Sequence, residues 1–175
     1  MDRFKRTIEH LTAVTKLQKE NARPAAPINL ALLIREVSLD LGPLMQESQA
    51  ELEIDVAAYP TLSFTEKNLR SVVYNLLSNA LKYRHPNRPA RICIRSWAED
   101  NYAVLTVQDN GLGLNMDNKD KVFAMFERLH DHVESSGIGL YMVRRIVENA
   151  GGRIEVASQL GEGTTFTIYF AAASQ

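Results

Sequence analysis

The placement of glycine is the sequence feature that most limits how this chain folds. Eight of the nine glycines lie after residue 110, and six of them form Gly-x-Gly pairs at 111/113, 137/139 and 161/163. Glycine lets the backbone bend sharply and lets a ligand approach it closely. A single pair is usually a plain turn, but each of these pairs borders a segment patterned as a helix or a strand. Together they predict one ligand that several loops contact.

Several other classes of protein are excluded by what the sequence lacks. It has no G-x-x-x-x-G-K-[ST] segment, which excludes a P-loop site, and no G-x-G-x-x-G opening a strand–turn–helix unit. The net charge of −1 gives no support for nucleic-acid binding. Cys93 is the single cysteine, so intrachain disulfides and cysteine-based zinc sites are excluded. With no secretory signal pattern and no long apolar run, we expect a cytoplasmic domain, although the full-length protein could be membrane-tethered.

Hydrophobic periodicity predicts alternating helices and strands along the chain. Asn29 and Thr65 are expected to cap two of the helices. Helices are predicted at residues 2–20, 29–48, 65–83, 119–128 and 139–149, and strands at 51–57, 90–97, 102–109, 153–158 and 165–171.

The order of these elements favours an α+β fold. Strands that are neighbours along the chain are expected to pair antiparallel, and the helices to cover one face of the sheet. The prediction is a two-layer α/β sandwich with a mixed, mostly antiparallel sheet and an additional N-terminal helix.

Five segments resemble, in their order along the chain and in their spacing, the boxes of sensor histidine kinases. NLLSNALKY resembles the N box, DNGLGL the first glycine box, VFAMFERLH the phenylalanine box, SSGIGLYMV the second glycine box and GEGTTF the third. The resemblance covers residues 28–172 and implies the Bergerat-type ATP-binding fold shared with gyrase and mismatch-repair ATPases. The amino-acid sequence of residues 130–156 is most similar to the corresponding segment of kinases with PAS or phytochrome-like sensor modules.

The resemblance also implies a division of the chain. Residues 1–22 are similar to the second helix of the dimerisation and phosphoacceptor hairpin. Residues 23–28 are then a linker, and residues 29–175 form the catalytic ATP-binding domain.

The N box carries the expected magnesium site. Asn75 and Asn79 are four residues apart, so their amides lie on one helix face. Mg²⁺ prefers hard oxygen ligands, and an amide oxygen supplies one without adding negative charge beside a triphosphate. The resemblance implies that Asn79 binds Mg²⁺ directly and Asn75 binds the metal or its water, with Lys82 on a phosphate and Tyr83 beside the adenine. The alternative is a solvated polar stripe.

The first and third glycine boxes are expected at the adenine end of the nucleotide. The Asp109 carboxylate, at the end of a strand, could accept a hydrogen bond from the adenine 6-amino group, which distinguishes ATP from GTP. Gly111 and Gly113 would let the backbone approach the base, and the resemblance places the Thr164 hydroxyl nearby. The alternatives are an Asp-Asn turn and an ordinary hairpin turn.

The second glycine box precedes a helix whose N-terminal N–H groups could bind phosphate. The candidate residues of this box are Ser136, Gly137, Ile138, Gly139 and Leu140. The polar stretch 127–136 is the expected lid, with Arg128 as a further phosphate contact. The family usually has glycine at the position of Ser135 or nearby, so closure of the lid could differ in this chain. His130 and His132 are expected to be solvated, because two histidines without a third ligand seldom hold a metal.

The same residues favour phosphoryl transfer over hydrolysis. Gyrase-like relatives use a glutamate base at the position of Asn75, and an amide cannot take a proton from water. The phosphorylated histidine motif of the family is absent. We therefore expect a protein-histidine kinase domain of a two-component system that binds ATP and Mg²⁺ but does not autophosphorylate alone. Its expected partners are ATP or ADP, its own phosphoacceptor helix, a response regulator and a second subunit, but no nucleic acid and no membrane.

Two alternatives stay open at this point. One is a stand-alone serine kinase of the anti-sigma-factor type, against which the N-terminal helix argues. The other is a degenerate module that senses ATP or only binds a partner, for which Ser135 is the one sign.

Overall fold

The computed structural model describes residues 25–125, 127–133 and 137–172, together with positions 4, 5, 8, 11, 12 and 15. Those six positions of the predicted N-terminal helix are helical, and Phe4, Ile8 and Leu11 expose half or more of their surface. The rest of that helix, Ser136 and Ser135 lie outside the described residues. Across the described part of the chain, no helix has the length and apolar character needed to cross a membrane.

The strands of the described residues are Ala26–Asn29 (β1), Glu51–Asp55 (β2), Thr61–Phe64 (β3), Arg91–Glu99 (β4), Tyr102–Asp109 (β5), Arg153–Gln159 (β6) and Gly163–Ala171 (β7). The main sheet contains five of them in the order β2–β4–β5–β7–β6. The sheet is mixed and mostly antiparallel, as the sequence predicts, because every pair except β2 with β4 is antiparallel. β2 and β4 are neighbours among the predicted strands but pair in parallel, since the helix Glu66–Lys82 lies between them in the chain and carries it back to the same end of the sheet. A separate two-stranded sheet pairs β1 with β3.

The two faces of the main sheet differ in burial. Ile94, Val107 and Phe166 lie side by side on neighbouring strands and are all buried. The next row on the other face contains Arg95 and Thr106, and Arg95 is exposed. Because side chains alternate along a strand, one face carries the core and the other faces solvent.

Helices pack on the buried face and complete a two-layer α+β fold. Their bounds are Leu30–Asp40 (α1), Gly42–Glu47 (α2), Glu66–Lys82 (α3) and Gly139–Asn149 (α4), with a 3₁₀ helix at Met116–Phe123. Leu69, Val73 and Leu77 of α3 are completely buried within one continuous core. The prediction of a sandwich with helices on one face is confirmed.

Two of the predicted helices differ from those in the structure. The helix predicted over 29–48 begins as expected, with the Asn29 side chain accepting from the Leu32 N–H at 3.0 Å, but it divides at Leu41. Pro43 opens α2, and proline lacks the N–H that a continuous helix would need there.

The predicted helix at 119–128 is a 3₁₀ helix that lies earlier. The Asn115 side chain accepts from the Asp117 N–H at 3.0 Å and starts it, and Ala124, with ψ of 147°, ends it. The cap at Thr65 is at the predicted position, but its side chain makes no capping hydrogen bond.

Strands β1 and β3 were not predicted. Each has four residues, and Pro27 within β1 makes the segment resemble a linker. Proline is tolerated there because the two-stranded sheet leaves β1 with an unpaired edge. Residues 26–28 of the predicted linker therefore belong to the folded unit.

Candidate functional site

The C-terminal half of α3 presents a polar face to a cleft. Asn75, Ser78, Asn79, Lys82 and Tyr83 line a cavity of about 100 Å³. Helical spacing explains why, since residues three and four apart share one face while leucines and valines on the other face enter the core. The amphipathic pattern of α3 thus fixes the direction of the polar groups.

The amide of Asn75 has a defined orientation. Its Nδ2 donates to the Ser71 carbonyl of the same helix at 2.8 Å. Its Oδ1 points to the start of α4, where a Cβ added to Gly139 would lie 2.6 Å from that oxygen. The side chain therefore presents an acceptor oxygen at the cleft, and glycine at position 139 leaves room for it.

The N-terminus of α4 forms the opposite wall. Gly137, Gly139 and Leu140 line the same cavity, and Gly137 has a φ of +71°. No described side chain caps this helix, so its first-turn N–H groups are available to an anion. Ile138 differs from its neighbours, because it is buried at 5% exposure and does not line the cavity.

A second, smaller cavity of about 20 Å³ continues from the first. Asn79 and Tyr83 line both, and Asp109, Gly113 and Thr164 complete the smaller one. The two cavities therefore share a wall and form one cleft, with a polar end near α4 and a narrower end at Asp109.

Asp109 is the titratable group most affected by its surroundings at this end. Burial raises the pKa of its carboxyl from 3.8 to about 6, although N–H groups of Gly111 and Thr164 donate to it and oppose the change. The Gly111 N–H lies 2.9 Å from Oδ1. A buried carboxylate with so few donors is matched to a ligand that supplies another donor.

The loops that hold Asp109 pack backbone against backbone. Gly113 has a φ of +69°, and a Cβ there would overlap the carbonyl of Gln159. The Ser158 hydroxyl joins these loops, since it accepts from the Leu114 N–H at 2.8 Å and bonds to the Thr164 hydroxyl at 2.8 Å. This network keeps the narrow end of the cleft in one shape.

The described part of the lid closes over this cleft. Leu129 lines both cavities, and Glu127 lines the larger one. His130 Nε2 donates to the Gly113 carbonyl at 2.8 Å, and its ring lies 5.6 Å from the ring of Tyr83. The prediction that His130 is solvated is therefore wrong: it is half-buried and ties the lid to the first glycine loop.

The structure brings most predicted site residues together. Gly111 adjoins the narrow end, whereas Arg128 is exposed and lines a neighbouring cavity beside Leu129. Those that line the cleft are Asn75, Asn79, Lys82, Tyr83, Asp109, Gly113, Gly137, Gly139, Leu140 and Thr164.

Sequence reasoning missed several residues of the cleft. Ser78 shares the helix face of Asn75 and could have been found from spacing alone. Glu127 and Leu129 follow the phenylalanine box, but no local pattern marks which of them turns inward. Ser158 lies on a strand 44 residues from the Leu114 N–H that it accepts from, so only the sheet register shows its role.

Comparisons with known proteins agree with this geometry. A family model described as histidine kinase-, DNA gyrase B-, and HSP90-like ATPase matches residues 64–174. The sensor protein RprX of Bacteroides fragilis is 34% identical over 116 residues, which are 64% of this chain and 22% of that protein. Cyanobacterial phytochrome A of Nostoc sp. is 36% identical over 136 residues, 75% of this chain and 18% of that protein. The chain thus spans about a fifth of the length of these curated relatives.

A solved structure is similar over nearly all of its length. The mycobacterial sensor histidine kinase MprB matches with a TM-score of 0.70 and 25% identity, over 86% of this chain and 99% of that structure.

Proposed function

The chain belongs to the family of histidine kinase-, DNA gyrase B- and HSP90-like ATPases, and from this we propose that it is the catalytic, ATP-binding domain of a sensor histidine kinase. In this proposal it presents Mg-ATP for phosphoryl transfer to a histidine outside residues 1–175. The observation that carries the proposal is the continuous cleft, in which Asn79 and Tyr83 line both the polar and the narrow end.

Magnesium fits the polar end of the cleft by its donor set. Mg²⁺ takes oxygen ligands and usually keeps several waters and the phosphates of its nucleotide. Asn75 turns an amide oxygen into the cleft, and Asn79 lies one turn further along the same face. Among the described residues no group of three His, Cys, Asp or Glu could hold a metal. The side-chain oxygens at this end come from the amides of Asn75 and Asn79, together with Ser78 and Glu127. When bound, the metal would neutralise phosphate charge, with Asn79 as its direct ligand and Asn75 on the metal or its water.

The phosphates would lie between Lys82 and the first turn of α4. Lys82 and the first turn of α4, at Gly139 and Leu140, line the same cavity. Phosphoryl transfer depends mainly on positioning and on neutralising charge, and both kinds of group supply these. Arg128 would join them only if the lid moved, because it is exposed beside a neighbouring cavity.

The base would enter the narrow end. The Asp109 carboxylate would accept from the adenine 6-amino group, with Gly111, Gly113 and Thr164 around it and the ring of Tyr83 alongside. Guanine has a carbonyl at that position and offers no donor, so this arrangement selects ATP over GTP.

The chemistry of Asn75 favours transfer over hydrolysis. Its amide cannot remove a proton from water, and its nitrogen already donates a hydrogen bond to the Ser71 carbonyl. We therefore propose a kinase domain whose acceptor histidine lies on a separate phosphoacceptor helix.

The wider assignments follow from the same proposal. Residues 1–22 would be part of a dimerisation hairpin, and the ATP-binding domain would begin at β1 rather than after residue 28. The proposed partners are the phosphoacceptor helix, a response regulator and a second subunit, and the proposed location is the cytoplasm. Relatives named as sensor proteins and phytochromes support a signalling role.

Calorimetric titration of the 175-residue chain with ATP tests the proposal. Wild type should bind ATP more tightly with Mg²⁺ than with EDTA. Asn79→Ala should lose most of that metal-dependent gain, about tenfold in Kd, because one ligand is removed. Asn87→Ala is the matched control, since it removes an exposed amide in the turn after α3. Failure of wild type to bind ATP, or equal binding by both variants, would contradict the proposal.

A further inference from the structure

The guanidinium of Arg88 holds two glycine loops at once. Its Nε donates to the Asn110 carbonyl at 2.8 Å, and one terminal nitrogen donates to the carbonyls of Gly111 at 3.2 Å and Gly161 at 2.7 Å. Hydrogen bonds from a charged donor are stronger than neutral ones, and the planar guanidinium fixes their directions. Arg88 lies outside all five sequence boxes and lines neither cavity of the cleft.

The same two loops are also bonded to each other and to the end of α3. The Gly161 N–H donates to the Leu112 carbonyl at 2.7 Å, and the Leu112 N–H donates to the Tyr83 carbonyl at 2.9 Å. Arg88 follows Tyr83 by five residues, so it closes a ring of contacts around the narrow end of the cleft. Three segments distant in sequence are thereby kept in register.

The peptide between Asn110 and Gly111 is where this ring meets the carboxylate. Its N–H, from Gly111, donates to Asp109 Oδ1 at 2.9 Å, and its carbonyl, from Asn110, accepts from Arg88 Nε at 2.8 Å. A Cβ on Gly111 would lie 2.5 Å from the Tyr83 carbonyl and 3.0 Å from Asp109 Oδ1. A rotation of this peptide would therefore move the carboxylate that it bonds.

We propose that Arg88 is a positioning residue for adenine recognition: by bridging the loops at Gly111 and Gly161, it fixes the peptide that orients the Asp109 carboxylate. It acts through the backbone and does not touch the nucleotide. This inference rests on the proposed nucleotide site and adds a residue that sets base selectivity.

The test compares ATP with purine riboside triphosphate, which lacks the 6-amino group, by calorimetry with Mg²⁺ on the full chain. Arg88→Lys keeps the charge but loses the planar fork. It should weaken ATP about tenfold and leave the analogue unchanged, so the preference for the amino group falls about tenfold. Arg88→Ala should lower the preference for the 6-amino group at least as much as Arg88→Lys does.

Arg84 provides the matched control. It lies on the same loop but donates to the Leu81 carbonyl at 3.1 Å and to Glu47 at 3.0 Å, away from both glycine loops. Arg84→Lys should keep the wild-type preference. Amide spectra should show shifts at Gly111 and Gly161 in the folded Arg88→Lys chain and none there in Arg84→Lys.

The possible outcomes distinguish a failure of the positioning role of Arg88 from a failure of the proposed function. If wild type binds ATP and Arg88→Lys weakens ATP and the analogue equally, or weakens neither, the positioning role is overturned and the proposed function stands. The positioning role is likewise overturned if Arg84→Lys lowers the preference as much as Arg88→Lys does. If wild type binds no ATP, the proposed function fails and this inference fails with it.

Discussion

Replacing Asp109 by asparagine should stabilise the nucleotide-free fold at neutral pH. Burial raises the pKa of the Asp109 carboxyl from 3.8 to about 6, so the folded chain holds a proton that the unfolded chain releases at lower pH. The folded state binds more protons than the unfolded state between these values. Its stability therefore falls as the pH rises from 3.8 to about 6, and the whole loss is present above that range.

The magnitude follows from the size of the shift. An interval from 3.8 to about 6 corresponds to a destabilisation of about 3 kcal/mol at pH 8. At pH 5 the same relation gives about half of that destabilisation, because the folded carboxyl is mostly protonated there. Asparagine is never charged, but it cannot accept from both N–H groups as a carboxylate does, which costs about 1 kcal/mol at either pH. The net gain should be about 2 kcal/mol at pH 8 and should be smaller by about 1 kcal/mol at pH 5.

Urea unfolding at pH 8 and pH 5 measures this directly. Asp120→Asn serves as the control, because Asp120 is an exposed carboxylate on the 3₁₀ helix. ATP binding should fall in Asp109→Asn even as the fold becomes more stable, since the amide nitrogen presents a donor to the adenine amino group. The reasoning is refuted if the stability difference between Asp109→Asn and wild type is the same at both pH values, or if it is larger at pH 5.

Two further predictions concern the walls of the cleft. Gly139→Ala should weaken Mg-ATP about tenfold with little change in the thermal midpoint, because the new Cβ would lie 2.6 Å from Asn75 Oδ1 and displace that amide; calorimetry and a thermal melt check this, and unchanged affinity would contradict it. Leu129→Ala should speed ATP association in stopped-flow measurements, because Leu129 lies against both cavities and an adenine nucleotide needs more room than they give; an unchanged association rate would show that the lid is not the barrier.

Periodicity predicted the elements that are long and evenly patterned. The helix at Gly139–Asn149 and the hairpin of β4 and β5 agree with the sequence within a few residues. β1 and β3 were not predicted, because a strand of four residues is too short to show a clear alternation of apolar and polar residues, and Pro27 is typical of a loop. The division at Pro43 follows from local chemistry that hydrophobic periodicity does not register.

The candidate cleft was predictable only in part, and for a physical reason. Asn75 and Asn79 share a helix face, so spacing alone places them together. The carbonyl partners of Arg88 lie 22 to 73 residues away, and the partner of His130 lies 17 residues away. Contacts of that kind depend on how loops meet after the sheet has formed, and no local pattern encodes them.

The sharing of Asn79 and Tyr83 by both ends of the cleft has a consequence for inhibitors. Asn79 lies in the last turn of α3 and Tyr83 follows the helix directly, so a wall fixed by the packed core runs from the polar end to the narrow end. A compound that joins a base mimic to a phosphate mimic needs a linker that passes along this wall. Related chains would then be distinguished by what the compound touches on the lid, at Leu129 and His130, and not by the length of the linker.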